Sequence, residues 1–305
     1  MTLIYFITIG IIVFFKIPPH WAILWGILSS LIFPTSGFFQ KFGKTLSTRI
    51  LQISIIFLGA SLNFQVVLKE GFDGIITTLI SISCLFIIGN ILAKFFKIPS
   101  PLSLLMTAGT SICGGSAISA LAPIVNASNV TIATALGIIF ILNALSVFIF
   151  PPIAHFLNLS QQQFGIWAAL AIHDTSSVVA SSQIYGDEAL KIGTTLKLTR
   201  ALWIIPLSLI FSTIKKSENK IQIPWFIFIF LIISLFFTFF TKLNFLIPHI
   251  SYISKIGLSL TLFLIGLSMN KNQIKEIGIR PVLFGSSLWI IMMMGSLFYV
   301  FYFIE

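Results

Sequence analysis

Long apolar segments separated by short polar stretches follow one another along almost the whole chain. We place eleven of them, at residues 2–15, 21–33, 47–64, 75–93, 102–126, 129–150, 163–183, 190–212, 223–241, 252–269 and 282–303. A helix needs about 20 apolar residues to cross the hydrocarbon core of a bilayer. The pattern therefore predicts an all-α polytopic membrane protein with about 9–11 transmembrane helices, of which the first two are short.

Two of these segments contain stretches rich in small and hydroxyl-bearing residues, at 109–120 and 171–182. We expect the helix to be discontinuous or re-entrant at both. Inside a bilayer, a helix can break only where protein or a water-filled cavity satisfies the freed backbone groups. Secondary transporters bind their solutes at paired breaks of this kind near the bilayer midplane. The pattern therefore predicts a transport site where the two breaks meet.

The composition agrees with a membrane protein, since 57% of the residues are hydrophobic and only 9% are charged. An ordinary soluble domain carries roughly a quarter charged residues. With 305 residues, the chain is expected to form a single membrane unit. Its net charge of +10 is spread over loops, which is typical of orientation signals and does not indicate nucleic-acid binding.

The distribution of lysine and arginine predicts the orientation of the chain. The side that includes the N-terminus carries eleven of them: Lys41, Lys44, Arg49, Lys94, Lys97, Lys215, Lys216, Lys220, Lys271, Lys275 and Arg280. The opposite side carries five: Lys16, Lys69, Lys191, Lys242 and Lys255. Because basic residues accumulate on the cytoplasmic side, we expect a cytoplasmic N-terminus.

Two weak internal similarities predict an inverted repeat. Residues 58–63 resemble residues 265–270, and residues 96–120 resemble residues 156–180. If the second similarity is a true repeat, each interrupted element is a re-entrant hairpin and nine full spans remain. If it arose by chance, each is a broken full span. The charge distribution does not decide between these two topologies.

The first interrupted stretch has the residue types of an anion site. Gly114 and Gly115 permit sharp unwinding, and Thr110, Ser111 and Ser116 supply hydroxyl groups. A half-helix that starts after the glycines would point free N–H groups and a positive dipole end at the solute, which suits an anion. Close packing of helices through small residues is the alternative interpretation.

Asp174 is the acidic residue farthest from any predicted membrane surface. A charge at the bilayer centre costs about 2.5–3.5 kcal/mol even on insertion scales, so such residues usually serve function. One role is to take up and release a proton, with His173 tuning or relaying it. Another is to bind Na⁺ together with Thr175 and Ser176. A static ion pair with Arg200 or Lys197 is the structural alternative.

Two cations and one amide complete the candidate site. Lys197 and Arg200 lie three residues apart, hence on one face of a helix. Arg200 would bind an anionic substrate through its planar fork or neutralise Asp174. Lys197 would tune the site or extend to the membrane surface. Asn143 lies midway along its segment, where it would bond across helices or face the cavity.

Several strings resemble one bacterial inner-membrane family, the YeiH-type proposed sulfate exporters. They are residues 109–123, His173-Asp174 followed by Val178-Val179-Ala180, residues 197–206 and residues 223–226, in the order and spacing of that family. The resemblance covers roughly residues 45–300. It implies a fold similar to that of inverted-repeat sodium and anion transporters. Ser176 and Ser177 stand where the family usually shows a small residue and then Gln. If that Gln contacts substrate or ion in the family, the specificity of this chain differs.

We therefore expect a secondary active transporter of a small sulfate- or sulfonate-like anion, coupled to H⁺ or Na⁺. The transport bundle is predicted at 102–212, with scaffold helices at 1–101 and 213–305 and a homodimer as the assembly. We expect no cofactor and no metal site. Alternatives are a protein that moves only Na⁺ or H⁺ and, less favoured, an integral-membrane enzyme, for which no catalytic motif is visible.

Overall fold

The computed structural model describes residues 2–15, 17, 19–32, 37–61, 64–215, 225–268 and 278–304. Within these ranges the chain forms helices and no β-strand, which confirms the predicted all-α class. Five helical stretches are long and apolar enough to cross a membrane: Gly74–Phe96, Val130–Phe156, Asp187–Ile214, Thr241–Leu264 and Ile279–Phe303. The protein is an all-α polytopic membrane protein.

In chain order, the helices are α1 (Thr2–Phe14), α2 (Pro19–Ile32), α3 (Gly37–Gly59), α4 (Phe64–Phe96), α5 (Ser100–Ser111), α6 (Gly115–Leu121), α7 (Asn129–Phe156), α8 (Gln161–Ala171), α9 (Thr175–Tyr185), α10 (Asp187–Ala201), α11 (Ile204–Lys215), α12 (Trp225–Phe239), α13 (Ile247–Ser268) and α14 (Ile279–Phe303). A 3₁₀ helix, Thr241–Leu246, precedes α13.

The chain divides into two compact units, the first formed by residues 1–69 and 224–271. In this unit α13 packs against α2 and α3, and α12 packs against α3. Close approach at small residues brings these helices together. A Cβ atom added at Gly26 of α2 would lie 2.3 Å from the carbonyl oxygen of Phe263, so only glycine fits there. Ser254 of α13 also donates a hydrogen bond to the carbonyl of Ser54, at 2.7 Å.

The second unit comprises residues 70–223 and 272–305 and contains both interrupted elements. In its core, α10 packs against α8 and α9, and α7 packs against α5 and α9. The helix α14 covers α8, α7 and α5. The predicted transport bundle at 102–212 lies inside this unit, and its boundaries stay a prediction.

One face of α4 carries a stripe of exposed apolar side chains. Its members are Ile76, Ile80, Ile87, Ile91 and Phe95, each at least 58% exposed. They recur at intervals of four and seven residues and so lie on one face of the helix. Apolar surface of this extent suits contact with lipid.

The order of elements repeats at the interval of the second sequence similarity. One long helix ends at Phe96 and another at Phe156, sixty residues later. Shorter helices then end at Ser111 and Ala171, again sixty residues apart, and the next begin at Gly115 and Thr175. The similarity between residues 96–120 and 156–180 thus has a structural counterpart. Whether the copies are inverted across the membrane stays a prediction.

Several segment boundaries differ from the prediction. The segment expected at 129–150 continues as α7 to Phe156 because the helix ends only where Asn158 adopts a positive φ of 53°. The segment expected at 190–212 is divided between α10 and α11. The similarity between residues 58–63 and 265–270 lies partly outside the described residues.

Candidate substrate site at two helix breaks

The first break separates α5 from α6 and depends on Gly114. This residue has φ 62° and ψ −123°, a conformation that side-chain-bearing residues rarely adopt. Its N–H donates a hydrogen bond to the carbonyl of Gly109, at 2.8 Å. A Cβ atom added at Gly109 would lie 3.1 Å from the side chain of Ile118. The chain therefore turns sharply, and α6 folds back against the end of α5.

The second break separates α8 from α9, and Asp174 caps the helix that follows it. One carboxylate oxygen of Asp174 accepts a hydrogen bond from the N–H of Ser177, at 2.7 Å. The other accepts from the hydroxyl of Ser176, at 3.1 Å. A carboxylate at this position interacts favourably with the positive end of the helix dipole. Asp174 is thus held in place by α9 and is only partly buried.

The two breaks are in direct contact. A Cβ atom added at Gly114 would lie 3.3 Å from Cβ of Asp174 and 3.4 Å from its backbone nitrogen. Asn143 of α7 holds the second break through its side chain. Its side-chain oxygen accepts hydrogen bonds from the N–H groups of His173 and Asp174, at 3.2 and 3.3 Å. Asn143 is only 3% exposed, so these bonds are shielded from water.

Arg200 joins the carboxyl ends of the two half-helices that precede the breaks. Its Nε donates to the carbonyl of Ser111 at 2.6 Å, and its Nη2 donates to that of Thr110 at 3.4 Å. Its Nη1 donates to the carbonyls of Ala169, at 3.1 Å, and Leu170. The guanidinium is fully buried. These carbonyls lack partners within their own helices, and a cation there also interacts favourably with the helix dipoles.

Lys197 lies one turn before Arg200 and contacts the same end of α8. Its Nζ donates to the carbonyls of Ile172, at 2.6 Å, and Ala169, at 3.2 Å. The side chain is 0% exposed, so the expected alternative of a lysine that extends to the membrane surface is wrong. Among the described residues, the side chains of Lys197 and Arg200 donate to backbone carbonyls, whereas the carboxylate of Asp174 accepts from Ser176 and Ser177.

The predicted hydroxyl ligands differ in their surroundings. The hydroxyl of Thr110 donates to the carbonyl of Met106 at 2.9 Å, and that of Ser111 donates to Ala108 at 3.3 Å. Ser116 is exposed, whereas Gly115 and Thr175 are partly buried. The roles of these residues as substrate ligands stay predictions.

His173 is buried beside the contact between the breaks. Its side chain is 0% exposed, and neither ring nitrogen has a hydrogen-bond partner among the described residues. A buried polar group without a partner is costly, which makes His173 a candidate to bind a solute or water.

Sequence reasoning missed two features of this site. The first is the cap at Asp174, although an Asp directly before Thr-Ser-Ser is a typical helix start. The second is the set of backbone carbonyls, above all that of Ala169, that holds both cations. No residue-type signal marks a carbonyl as a ligand, so this feature becomes visible only in the folded chain.

Comparison with known proteins places this architecture in a family. A profile described as "Conserved hypothetical protein 698" matches residues 10–285. The chain belongs to this family. A UPF0324 membrane protein from Bacteroides thetaiotaomicron is 44% identical over 86% of the chain and 80% of its own length.

Further relatives carry the same description. A UPF0324 membrane protein from Porphyromonas gingivalis is 42% identical over 92% of the chain and 86% of its own length. Another from Vibrio parahaemolyticus is 44% identical over 82% of both chains. No solved structure matches the chain significantly. The relatives are bacterial and are named as membrane proteins. Their names give no substrate, so they support membership of this family and do not support the sulfate exporter name.

Proposed function

We propose that the protein is a secondary active transporter of a small anion, sulfate- or sulfonate-like, coupled to H⁺ or Na⁺. The contact between Gly114 and Asp174 carries this proposal, because it joins two helix breaks in one membrane-embedded unit. Paired breaks supply backbone groups that a solute can bind without lipid contact. Anion transport is favoured over membrane-bound catalysis because the polar groups converge on helix ends.

The balance of charge at the breaks supports an anionic solute. Lys197 and Arg200 contribute two positive charges, and Asp174 contributes one negative charge. The carboxyl ends of α5 and α8 and the amino ends of α6 and α9 carry partial charges of about half a unit and opposite sign, which roughly cancel. With His173 neutral, one positive charge remains. An uncompensated charge inside a membrane is costly, and a bound monovalent anion, such as a sulfonate, would balance it.

In this proposal the residues have distinct roles. Asp174 and His173 take part in ion coupling, and Arg200 attracts the anion through its charge while it holds the two half-helices. Thr110, Ser111, Gly114, Gly115, Ser116, Thr175 and Ser176 surround the solute through hydroxyl and backbone groups. A surface groove is lined by Ser119, Pro123 and Asn126 at the end of α6, and the proposal assigns it as the entry for the solute.

A second candidate function, transport of Na⁺ or H⁺ alone, is favoured by one observation. The partly buried carboxylate of Asp174 and the hydroxyl of Ser176, 3.1 Å apart, are hard oxygen donors. Sodium ions are bound by hard oxygen ligands of this kind, and a carboxylate can also take up a proton. In that case Arg200 would serve only the structure.

The test is uptake of sulfate into proteoliposomes under imposed pH and Na⁺ gradients, with wild type and the Asp174→Asn variant side by side. Uptake that one gradient drives and that the variant loses supports an ion-coupled anion transporter. A panel of sulfonates and carboxylates extends the test if sulfate does not move. An H⁺ or Na⁺ current without any anion would favour the second candidate.

The cellular setting belongs to the same proposal. We place the protein in the bacterial inner membrane with a cytoplasmic N-terminus, as a homodimer. Accessibility of single cysteines to a membrane-impermeant reagent tests the orientation, and the mass of the purified protein in nanodiscs tests the assembly. Exclusive labelling of an N-terminal cysteine from the periplasmic side would overturn the orientation.

A further inference from the structure

Lys197 forms no direct hydrogen bond to a carboxylate among the described residues. Its ammonium group is fully buried and donates hydrogen bonds to the carbonyls of Ala169 and Ile172. The carbonyl of Ala169 also accepts a hydrogen bond from Arg200. Two cations thus both donate to the carbonyl of Ala169 in the interior of a membrane protein, where each unbalanced charge is costly.

Four ionisable groups lie near Lys197, one on its own helix and three in the two breaks. Arg200 lies on the same helix, Cys113 lies in the first break, and His173 and Asp174 lie in the second. The carboxylate of Asp174 is held by Ser176 and Ser177. The attraction between Asp174 and Lys197 therefore acts through space, without a direct hydrogen bond.

Of the two cations, only Lys197 can readily change its charge. An arginine side chain stays protonated in proteins, whereas a buried lysine can lose its proton at moderate pH. With Lys197 neutral, Arg200 and Asp174 balance each other and the empty site carries no net charge. With Lys197 protonated, the site carries one positive charge that a monovalent anion would balance.

We propose that Lys197 carries the coupling proton, so that one proton accompanies each monovalent anion. The proton binds Nζ from the water on one side when the anion binds, and it leaves to the water on the other side when the anion leaves. The site is then neutral, whether loaded or empty, while its opening changes from one side of the membrane to the other. Asp174 supplies the constant negative charge on which this balance depends. The inference rests on the proposed function and names its coupling ion.

Proton uptake by the purified wild type is the first test. The full-length protein in nanodiscs and weakly buffered solution receives sulfate or methanesulfonate, and a pH-sensitive dye reports protons bound or released. We expect proton uptake when methanesulfonate binds, with about one proton for each anion. Anion binding without proton uptake would overturn the inference.

The Lys197→Arg variant separates charge from titration. Because arginine keeps its charge, this variant should still exchange labelled methanesulfonate across proteoliposome membranes but should no longer accumulate it under a pH gradient. Lys197→Gln removes the charge, so its anion binding should be weak and independent of pH. Lys191→Arg, an exposed position on the same helix, is the matched control and should behave like wild type. Accumulation driven by a pH gradient in Lys197→Arg would overturn the inference.

The outcomes distinguish the inference from the proposed function. Wild-type uptake driven by a Na⁺ gradient, without proton uptake, rejects Lys197 as the proton carrier and leaves anion transport standing. A wild type that neither binds nor moves any anion of the panel rejects both. If neither lysine variant folds, the dye measurement on the wild type decides alone.

Discussion

Gly114 and Asp174 meet across two helix breaks that lie sixty residues apart in the sequence. A Cβ atom added at Gly114 would be 3.3 Å from Cβ of Asp174. A contact of this length is tight, so an alanine would require Asp174 to move by a few tenths of an ångström, in addition to adopting an unfavourable backbone conformation itself. A change at either residue should therefore affect the other break.

Gly114→Ala should destabilise the protein and impair transport. Alanine would have to adopt a φ of 62° and would crowd both Asp174 and Ile139, each at 3.3 Å. A residue held in such a backbone region costs about 1–3 kcal/mol. We expect a lower melting temperature in detergent and reduced anion uptake in proteoliposomes.

Gly115→Ala is the control for this prediction. A Cβ atom at Gly115 would make contacts of 3.4 to 3.6 Å with Leu136 and Phe140, and the residue has no positive φ. The Gly115→Ala variant should have a melting temperature close to that of wild type. Equal melting temperatures of the two alanine variants would contradict the role that we assign to Gly114.

Asp174→Asn should abolish coupled transport while the protein stays folded. Asparagine is as good a helix cap as aspartate, so the bond to the N–H of Ser177 can be kept, whereas the negative charge is lost. The measurement is uptake under the gradient that drives the wild type, together with the melting temperature. Glu188→Gln, an exposed acid in the first turn of α10, should transport normally. Normal coupled uptake by a well-folded Asp174→Asn would remove Asp174 from the mechanism.

The sequence was sufficient to predict the class of fold and the location of both breaks. Runs of apolar residues define membrane helices strongly, because a span has a fixed length. Small residues at 109–120 and 171–182 indicated the breaks, which the structure narrows to residues 112–114 and 172–174. Ser160 and Gln163 form a capping box that marks the start of α8 at Gln161. The hydrophobic pattern had placed this start two residues later.

The arrangement of the cations was beyond the reach of the sequence. An arginine and a lysine three residues apart suggested an anion ligand or an ion pair with Asp174, because a sequence identifies charged side chains but not the backbone groups near them. Their hydrogen-bond partners are backbone carbonyls, such as that of Ala169, that any residue type could supply. Only tertiary packing of α10 against α8 brings these groups together.

Asn143→Ala should destabilise the second break. The substitution removes the shared acceptor of the N–H groups of His173 and Asp174 in a position that is only 3% exposed. Leaving a buried donor without a partner costs about 1–3 kcal/mol. Thermal unfolding in detergent should therefore shift to a lower temperature. Asn90→Ala, at an exposed position on α4, should leave it unchanged, and a similar shift in both variants would point to a general effect of losing an asparagine.

Arg200→Gln should both weaken anion binding and loosen the two half-helices. It removes a buried charge and leaves the carbonyls of Ser111 and Ala169 without this donor. Hydrogen bonds to charged groups contribute about 1.5–3 kcal/mol each. Sulfate affinity and melting temperature should both fall, whereas Arg200→Lys should retain part of the affinity because it keeps the charge.

Arg280→Gln is the control for this change, since Arg280 is exposed at the start of α14. It should leave sulfate affinity and melting temperature as they are in wild type. Unchanged sulfate affinity in a folded Arg200→Gln protein would restrict Arg200 to a structural role and would strengthen the case for cation transport alone.

Gly165→Ala should push α10 away from α8 and so displace Lys197 and Arg200, although the new methyl group does not contact either side chain. A Cβ atom at Gly165 would lie 2.9 Å from the carbonyl oxygen of Ala189 and 3.1 Å from the nitrogen of Gly193, both backbone atoms of α10. Because backbone cannot rotate away, α10 must shift, and Lys197 would move relative to the carbonyl of Ala169. Overpacking of this kind costs about 1–3 kcal/mol, and we expect reduced anion uptake as well as a lower melting temperature. Gly295→Ala, which would meet nothing within 4 Å, should match wild type in both measurements. Wild-type uptake by Gly165→Ala would show that the cations tolerate displacement of their helix.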